Sequence, residues 1–141
     1  FQMSWDDHIT SMLAAQDNLG YCAIAGVDGN IWGKNATCPL TVPEAQALIS
    51  LAKSGSPDPN KRYTLGGIKL MFLSKDVEDI TIYRLATVGT AEREITDDEK
   101  GLLAVASTTT AVVFAFLSGP NQRKAADSCQ REVVYLKQSG M

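Results

Sequence analysis

Histidine is the scarcest residue in this 141-residue sequence, and His8 is its single copy. Serine and cysteine nucleophiles need a general base, which is most often a histidine. Any Ser-His-Asp or Cys-His catalytic arrangement in this chain would therefore have to use His8. No serine or cysteine lies in a nucleophile-elbow pattern. A lone histidine on a helix is more often a packing or polar-contact residue. We therefore do not expect an enzyme.

Cysteine is also scarce, and its spacing does not favour a metal site. Cys22, Cys38 and Cys129 are an odd number, and they do not form the close pairs typical of zinc ligands. We expect three reduced, mostly buried thiols, as in a cytosolic protein. The sequence thus gives no reason to expect a metal or another cofactor.

Long apolar runs and a strong net charge are missing as well. No run approaches the roughly 20 residues that cross a bilayer, and no signal segment opens the chain. The net charge of −3, with both signs interspersed, gives no general attraction to nucleic acid. We expect one soluble, cytoplasmic domain over residues 3–141, with Phe1 and Gln2 a cloning remnant.

Helical periodicity predicts a helix near each end of the chain. The first should span about 4–15, with Ser4 and Asp7 positioned to cap it. Its apolar residues recur at helical spacing: Trp5, Ile9, Met12 and Leu13. The last should span 120–138, with an apolar stripe of Ala126, Cys129, Val133 and Leu136.

Between these helices the punctuation predicts a hairpin and a further helix. The runs "YCAIAG" and "IWGK" flank "VDGN", where Gly29 can adopt a positive φ at no steric cost. In "TVPEAQALISLAKSG", Thr41 and Glu44 form a capping box, Pro43 lies in the first turn, and Gly55 ends the helix. A polar, proline-rich loop, "SGSPDPNKR", follows.

Five apolar, β-branched runs fill most of the remaining chain: "YTLGG", "IKLMFL", "ITIYRLATV", "LLAVAST" and "AVVFAFLS". Polar breaks separate them, which is typical of an antiparallel meander. We predict an α+β fold with a central antiparallel sheet. The N- and C-terminal helices pack together on one face, and the middle helix lies on the other.

Two further patterns have weak functional interpretations. "GVDGNIWGKN" partly matches a phosphate-binding loop, but the glycine spacing is one residue short and Asn35 replaces the hydroxyl that binds magnesium. A hairpin is the better interpretation. The acids Glu92, Glu94, Asp97, Asp98 and Glu99 fit no metal-binding loop, and we interpret them as a solvated connection.

The aromatic residues give a stronger indication of function than these two patterns. Trp5, Trp32 and Tyr135 could all be core residues, yet Trp5 and Tyr135 lie near the chain ends, where burial is hardest. If the terminal helices pack side by side, three rings converge into a shallow platform. Such a platform suits proline-rich peptides, which hold a polyproline II helix before binding and stack on aromatic faces.

The segments "SWDDHI", "AIAGVDGNIWGK", "LGGIK" and "YLKQSGM" resemble the profilin family over almost the whole chain from Met3. The resemblance implies a protein of the cytoplasm and cytoskeleton that binds monomeric actin. It also implies binding of proline-rich segments of actin regulators such as formins, binding of phosphoinositide lipids, and a monomeric state. The alternative is a profilin-like scaffold that binds peptides but has weak or no actin binding.

The resemblance assigns two sets of site residues. The proline-peptide site comprises Trp5, His8, Trp32, Tyr135, Leu136 and Met141. In it His8 stands where a tyrosine is usual, and Met141 where an aromatic residue is frequent. The actin site comprises Lys69, Met71, Leu73, Arg84, Asn121, Arg123, Lys124, Asp127, Gln130 and Arg131. The basic residues near these sites predict weak, salt-sensitive lipid binding: Lys69, Arg123, Lys124, Arg131 and Lys137.

Overall fold

The computed structural model describes residues 5–15, 19–35, 38, 40–54, 62–66, 68–77, 81–88, 94–96, 100–118 and 124–138. These residues form three helices: α1 (Trp5–Ala15), α2 (Val42–Ser54) and α3 (Ala125–Gln138). The seven strands are β1 (Leu19–Gly26), β2 (Ile31–Lys34), β3 (Arg62–Leu65), β4 (Ile68–Val77), β5 (Thr81–Val88), β6 (Gly101–Ser107) and β7 (Ala111–Ser118). The α+β class and the predicted order of elements are confirmed.

All seven strands belong to one antiparallel sheet, in the order β2-β1-β7-β6-β5-β4-β3. Strands β3 to β7 form the predicted meander, each pairing with its neighbour in the chain. The last strand of the meander then pairs with β1, where Ala115 lies opposite Cys22. This pairing joins the hairpin to the meander in one continuous sheet.

Helices cover both faces of the sheet, as predicted. Alternate residues of β7 pack into two separate apolar clusters, Val113 with α1 and α3, and Phe114 with α2. Because both faces are covered, β6 and β7 are almost continuously apolar and buried. The sheet therefore separates two hydrophobic cores, one on each of its faces.

The stripe predicted on α3 is confirmed, since Ala126, Cys129, Val133 and Leu136 are all buried. From α1, Ile9 and Met12 join the same cluster, whereas Leu13 is 37% exposed. The α1 stripe is thus narrower than predicted, and the main sheet contacts of α1 are with β1 and β2 at one end of the sheet.

The predicted capping box of α2 is present. Thr41 N donates to Glu44 Oε1 at 3.1 Å, and Glu44 N donates to Thr41 Oγ1 at 3.4 Å. The same carboxylate oxygen accepts a bond from Gly66 N at 3.0 Å. The cap therefore also ties α2 to the turn between β3 and β4.

The predicted hairpin joins β1 and β2, with Gly29 at a φ of 97°. Asn30 N donates to Asp28 Oδ1 at 3.0 Å, and Gly26 N donates to Asn30 O at 2.9 Å. The partial phosphate-loop pattern therefore lies in a hairpin and not between a strand and the helix that follows it.

Several predicted features lie outside the described residues. They are the Ser4 part of the α1 cap, the end of α2 at Gly55, the proline-rich loop, most of the acidic connection and positions 120–123 of the last helix. Within the described part of the chain, no helix is long and apolar enough to span a membrane.

All three cysteines are free and buried, as predicted. Burial raises the pKa of Cys22 to about 12 and raises the pKa of Cys129 further. The Cys129 thiol donates to Ala104 O at 3.2 Å inside the α3-side core. These thiols are packing residues. Among the described side chains, no group of three His, Cys, Asp or Glu could hold a metal ion.

Candidate functional site

Four rings lie side by side where α1 meets β2 and α3. The Trp5 ring centroid is 4.8 Å from that of Trp32 and 5.1 Å from that of His8. The His8 ring in turn meets Tyr135 edge-on at 5.4 Å. We call Trp32, Trp5, His8 and Tyr135 the aromatic row. The predicted convergence of rings is therefore present, with His8 as the link between the tryptophans and Tyr135.

Two glycines make room for the tryptophans. A Cβ at Gly33 would lie 3.2 Å from the backbone oxygen of Trp5, so the bare backbone lets the first turn of α1 approach β2. A Cβ at Gly26 would lie only 2.7 Å from the Trp32 ring. The bare backbone of Gly26 therefore leaves room for the Trp32 ring at the end of β1.

The two tryptophans are half-buried, and they pack against the core cluster of α1 and α3. Tyr135 is 42% exposed and forms the outer end of the row. Leu136, by contrast, is completely buried, so it supports the row from the core and presents no surface to a ligand. Met141 lies outside the described residues.

His8 is tied to a carboxyl group on α3. Its Nδ1 lies 2.7 Å from Glu132 Oε1, and both side chains are more than 90% buried. Burial raises the pKa of Glu132, and the neighbouring His8 offsets only part of that effect. The pair therefore holds the His8 ring in one place.

A cavity of about 330 Å³ opens between α1 and α3 next to this pair. Its floor is formed by Met12, Ser128, His8 and Glu132, all of them buried. Ser128 Oγ has no hydrogen-bond partner among the described residues. We call this space the interhelical cavity. It shares His8 and Tyr135 with the aromatic row.

The residues of the second predicted site lie partly on the sheet and partly on α3. Met71 pairs with Ala86, and Ser74 pairs with Arg84, across β4 and β5. Strand alternation places Lys69, Met71 and Arg84 on the sheet face that α3 covers, since Leu70 and Leu85 pack on the α2 side. Lys69 is exposed, and Leu73, at the irregularity in β4, is 54% exposed.

On α3 and just before it, Lys124, Asp127, Gln130 and Arg131 are exposed. Asn121 and Arg123 lie outside the described residues. Arg131 also lines the interhelical cavity, so it lies beside the aromatic row as well as on the exposed face of the helix.

Four residues that shape the aromatic row and the cavity were not among those predicted: Gly26, Gly33, Ser128 and Glu132. A sequence signal existed only for the glycines, which stand inside strand patterns where a close approach is one expected reason. Ser128 and Glu132 are polar residues next to an apolar stripe, and nothing in the sequence marks their burial or the pairing of Glu132 with His8.

The fold and the row together define a small α+β domain with an aromatic surface between its terminal helices. The chain belongs to the profilin family, whose model matches residues 3–141. It is 33% identical over 72 residues to a profilin from Drosophila melanogaster, covering 51% of this chain and 57% of that relative. It is 34% identical over 79 residues to a profilin from Naegleria pringsheimi, covering 55% and 60%. These matches span less than two thirds of either relative.

Solved profilin structures share the fold over nearly the full chain. Mouse profilin IIa, in complex with a double repeat from the FH1 domain of mDia1, superimposes with a TM-score of 0.73. Its identity is 16%, and 99% of this chain and 100% of that chain are covered. LokiProfilin2, in complex with rabbit actin, gives a TM-score of 0.63 at 19% identity, with 92% of each chain covered. At these identities the likeness shows the fold.

Proposed function

We propose that this chain is a cytoplasmic regulator of actin assembly that binds monomeric actin on one surface and proline-rich segments on another. Membership of the profilin family supports the pairing of these two activities. So do two profilins of the same fold, one solved with an FH1 repeat and the other with actin. Formins and other actin regulators with proline-rich segments are the natural partners under this proposal.

The observation that carries the peptide half is the contact between Trp5 and Trp32, with ring centroids 4.8 Å apart. The two half-buried indoles, tilted by 36° to each other, give a shallow apolar surface with indole N–H donors. A polyproline II helix fits such a surface, because its rings stack on aromatic faces and its carbonyls have no internal partners. Little conformational entropy is lost, since the peptide holds this shape before it binds.

The actin half rests on a mixed surface. Its sheet part has an exposed cation, Lys69, and an exposed apolar side chain, Leu73. Its helix part has exposed charges of both signs, Lys124 and Asp127. Apolar contacts surrounded by charges are typical of protein interfaces, where the charges select the partner and its orientation.

One pair of titrations tests both halves. Decaproline should change the tryptophan fluorescence of the protein in a saturable way, because both indoles belong to the row. The protein should also slow the assembly of pyrene-labelled actin. Peptide binding without any effect on actin would favour the peptide-binding scaffold. No response to decaproline would refute the aromatic row as a proline site.

Phosphoinositide binding is a third, weaker part of the proposal. Lys69, Lys124, Arg131 and Lys137 are exposed, while Arg123 lies outside the described residues. With a net charge of −3, only local patches can attract an anionic headgroup. Binding to vesicles containing phosphoinositides should be lost before about 0.5 M salt, where the screening length is only about 4 Å. Binding that persists there would contradict an electrostatic contact.

A further inference from the structure

The contact with Glu132 leaves one nitrogen of the His8 ring for another partner. Nδ1 lies 2.7 Å from Glu132 Oε1, whereas Nε2, on the other edge of the ring, has no hydrogen-bond partner among the described residues. In that part of the chain, Ser128 Oγ is the one buried side-chain nitrogen or oxygen atom without a partner. Nε2 is therefore accessible at the surface, although most of the His8 side chain is buried.

One proton on the pair decides whether Nε2 donates or accepts a hydrogen bond. A nitrogen and an oxygen 2.7 Å apart have a hydrogen between them. Without an added proton, the Glu132 carboxylate accepts from Nδ1–H of a neutral ring, and Nε2 carries no hydrogen. With one added proton, the pair is either a carboxylate beside an imidazolium or a carboxylic acid that donates to Nδ1. Nε2 carries a hydrogen in both of these arrangements, so its role does not depend on how the two groups share the proton.

A proline run can use only one of these two states. Proline has no backbone N–H, and the carbonyls of a polyproline II helix have no internal partners, so the run offers acceptors alone. His8 lies between Trp5 and Tyr135 in the aromatic row, on the path of a peptide that follows the row. A protonated pair would donate from Nε2 to a peptide carbonyl, whereas an unprotonated pair would set one acceptor against another.

We propose that Glu132 is a specificity-determining residue of the proline-peptide site, which acts through His8 without touching the peptide. The protonated pair presents Nε2–H to a carbonyl of the proline run, and loss of the proton removes that bond. Glu132 is thus a positioning residue that makes peptide binding depend on pH. This inference rests on the proposed proline site and deepens it.

The charged and titratable neighbours of the pair keep their state over the range of the test, about pH 5 to 8.5. They are Asp7 on α1, Cys22 on β1, and Cys129, Arg131 and Tyr135 on α3. Burial raises the pKa of Cys22 to about 12 and raises that of Cys129 further, so both thiols stay neutral. Exposed aspartate and arginine stay charged in this range, and tyrosine stays neutral.

The first test measures the affinity of decaproline with blocked ends, which has no titrating group, at several pH values. Burial raises the pKa of Glu132 above 4.5, so the pair loses its proton as the pH rises from there. Binding should be about fivefold tighter at pH 5 than at pH 8.5, which corresponds to about 1 kcal/mol, the usual contribution of one hydrogen bond. An affinity that is constant or rises with pH would overturn the proposal.

Glu132→Gln tests whether the shared proton is responsible. An amide either accepts from Nδ1–H or donates to a bare Nδ1, so Nε2 is no longer tied to the number of protons. Decaproline affinity of this variant should change less than twofold over the same pH range. Glu94→Gln is the matched control, because it makes the same change at an exposed position outside the row and should keep the fivefold dependence. Full pH dependence in a folded Glu132→Gln would overturn the role of Glu132.

Nitrogen-15 NMR of the ring identifies Nε2 directly, because the chain has a single histidine. In wild-type protein near the midpoint of the pH profile, decaproline should move the Nε2 signal towards that of a protonated nitrogen. A bare Nε2 in the complex at pH 5 would overturn the proposal. Peptide binding with a flat pH profile refutes this inference and leaves the proline site standing. No binding of decaproline at any pH refutes the proposed proline site and this inference with it.

Discussion

His8 Nδ1 lies 2.7 Å from Glu132 Oε1, and this contact links α1 to α3 across 124 residues of sequence. His8 also touches the rings of Trp5 and Tyr135. A single buried polar pair thus links the two terminal helices and holds the ring that lies between Trp5 and Tyr135 in the aromatic row.

The Glu132 carboxyl group gives a pH dependence whose sign can be predicted. Burial raises its pKa above the ordinary value of 4.5 in the folded protein. The folded state therefore holds this proton more tightly than the unfolded state. The stabilisation of the folded state by the protonated Glu132 carboxyl group is fully present below pH 4.5. It is lost as the pH rises through the pKa of Glu132 in the folded protein.

Glu132→Gln removes this titration while keeping the shape and an acceptor oxygen. We expect the free energy of unfolding of the wild type to fall relative to that of Glu132→Gln as the pH rises above 4.5. Urea denaturation at several pH values measures the difference. A difference that moves in favour of the wild type with rising pH would mean that an ion pair with His8 outweighs the burial of the carboxyl group.

Trp5→Ala should weaken decaproline binding by on the order of 2 kcal/mol, as for an aromatic anchor at the centre of an interface. Fluorescence of the remaining Trp32 reports the titration. Trp5→Phe is the control, because it keeps a stacking ring and should lose less. Both variants need a thermal melt first, since Trp5 also packs on the core. Full-strength binding by a folded Trp5→Ala would remove Trp5 from the site.

Gly26→Ala should displace a ring of the aromatic row, although it changes none of the four residues that supply the rings. The added Cβ would lie 2.7 Å from the Trp32 ring, so the ring must move. We expect weaker decaproline binding and a loss of stability of about 1–3 kcal/mol from overpacking. Gly20→Ala is the matched control, because the atom nearest to its added Cβ would be a Phe116 side-chain carbon at 3.4 Å, an ordinary van der Waals distance. Equal peptide affinities of the two folded variants would contradict this role of Gly26.

Lys69→Glu should weaken actin binding by on the order of 1–2 kcal/mol through charge reversal at an interface. Sites that share no residues behave almost additively, so decaproline affinity should stay within about 0.5 kcal/mol of the wild type. Pyrene-actin assembly and peptide titration measure the two effects. Lys53→Glu makes the same charge change on α2, on the opposite face of the sheet, and should leave actin binding intact. Unchanged sequestration by Lys69→Glu would favour the peptide-binding scaffold.

The three cysteines should be unreactive in the folded protein. With a pKa of about 12, only about one Cys22 in ten thousand is a thiolate at pH 8, and Cys129 is more deeply buried still. Labelling with a thiol reagent should therefore be negligible until urea unfolds the chain, after which three equivalents react. Rapid labelling of one thiol before unfolding would show that this part of the core opens locally.

Local signals in the sequence were sufficient for the elements of the fold. The capping box of Thr41 and Glu44, the turn at Gly29 and the α3 stripe are patterns of neighbouring residues, and each is found where it was predicted. That helices cover the faces of the sheet followed from the same patterns, because apolar residues must be buried against another element.

The class of fold and the rings that could form a site were predictable from the sequence, since periodicity and motif spacing are carried by single segments, and the resemblance of four segments indicated the family. The packing of the whole chain was needed to show that His8 pairs with Glu132 and that Ser128 Oγ is buried with no hydrogen-bond partner among the described residues. These facts depend on how residues more than 100 positions apart pack across the α1–α3 contact. No local pattern encodes such a contact, because the same polar residue beside an apolar stripe could equally face solvent.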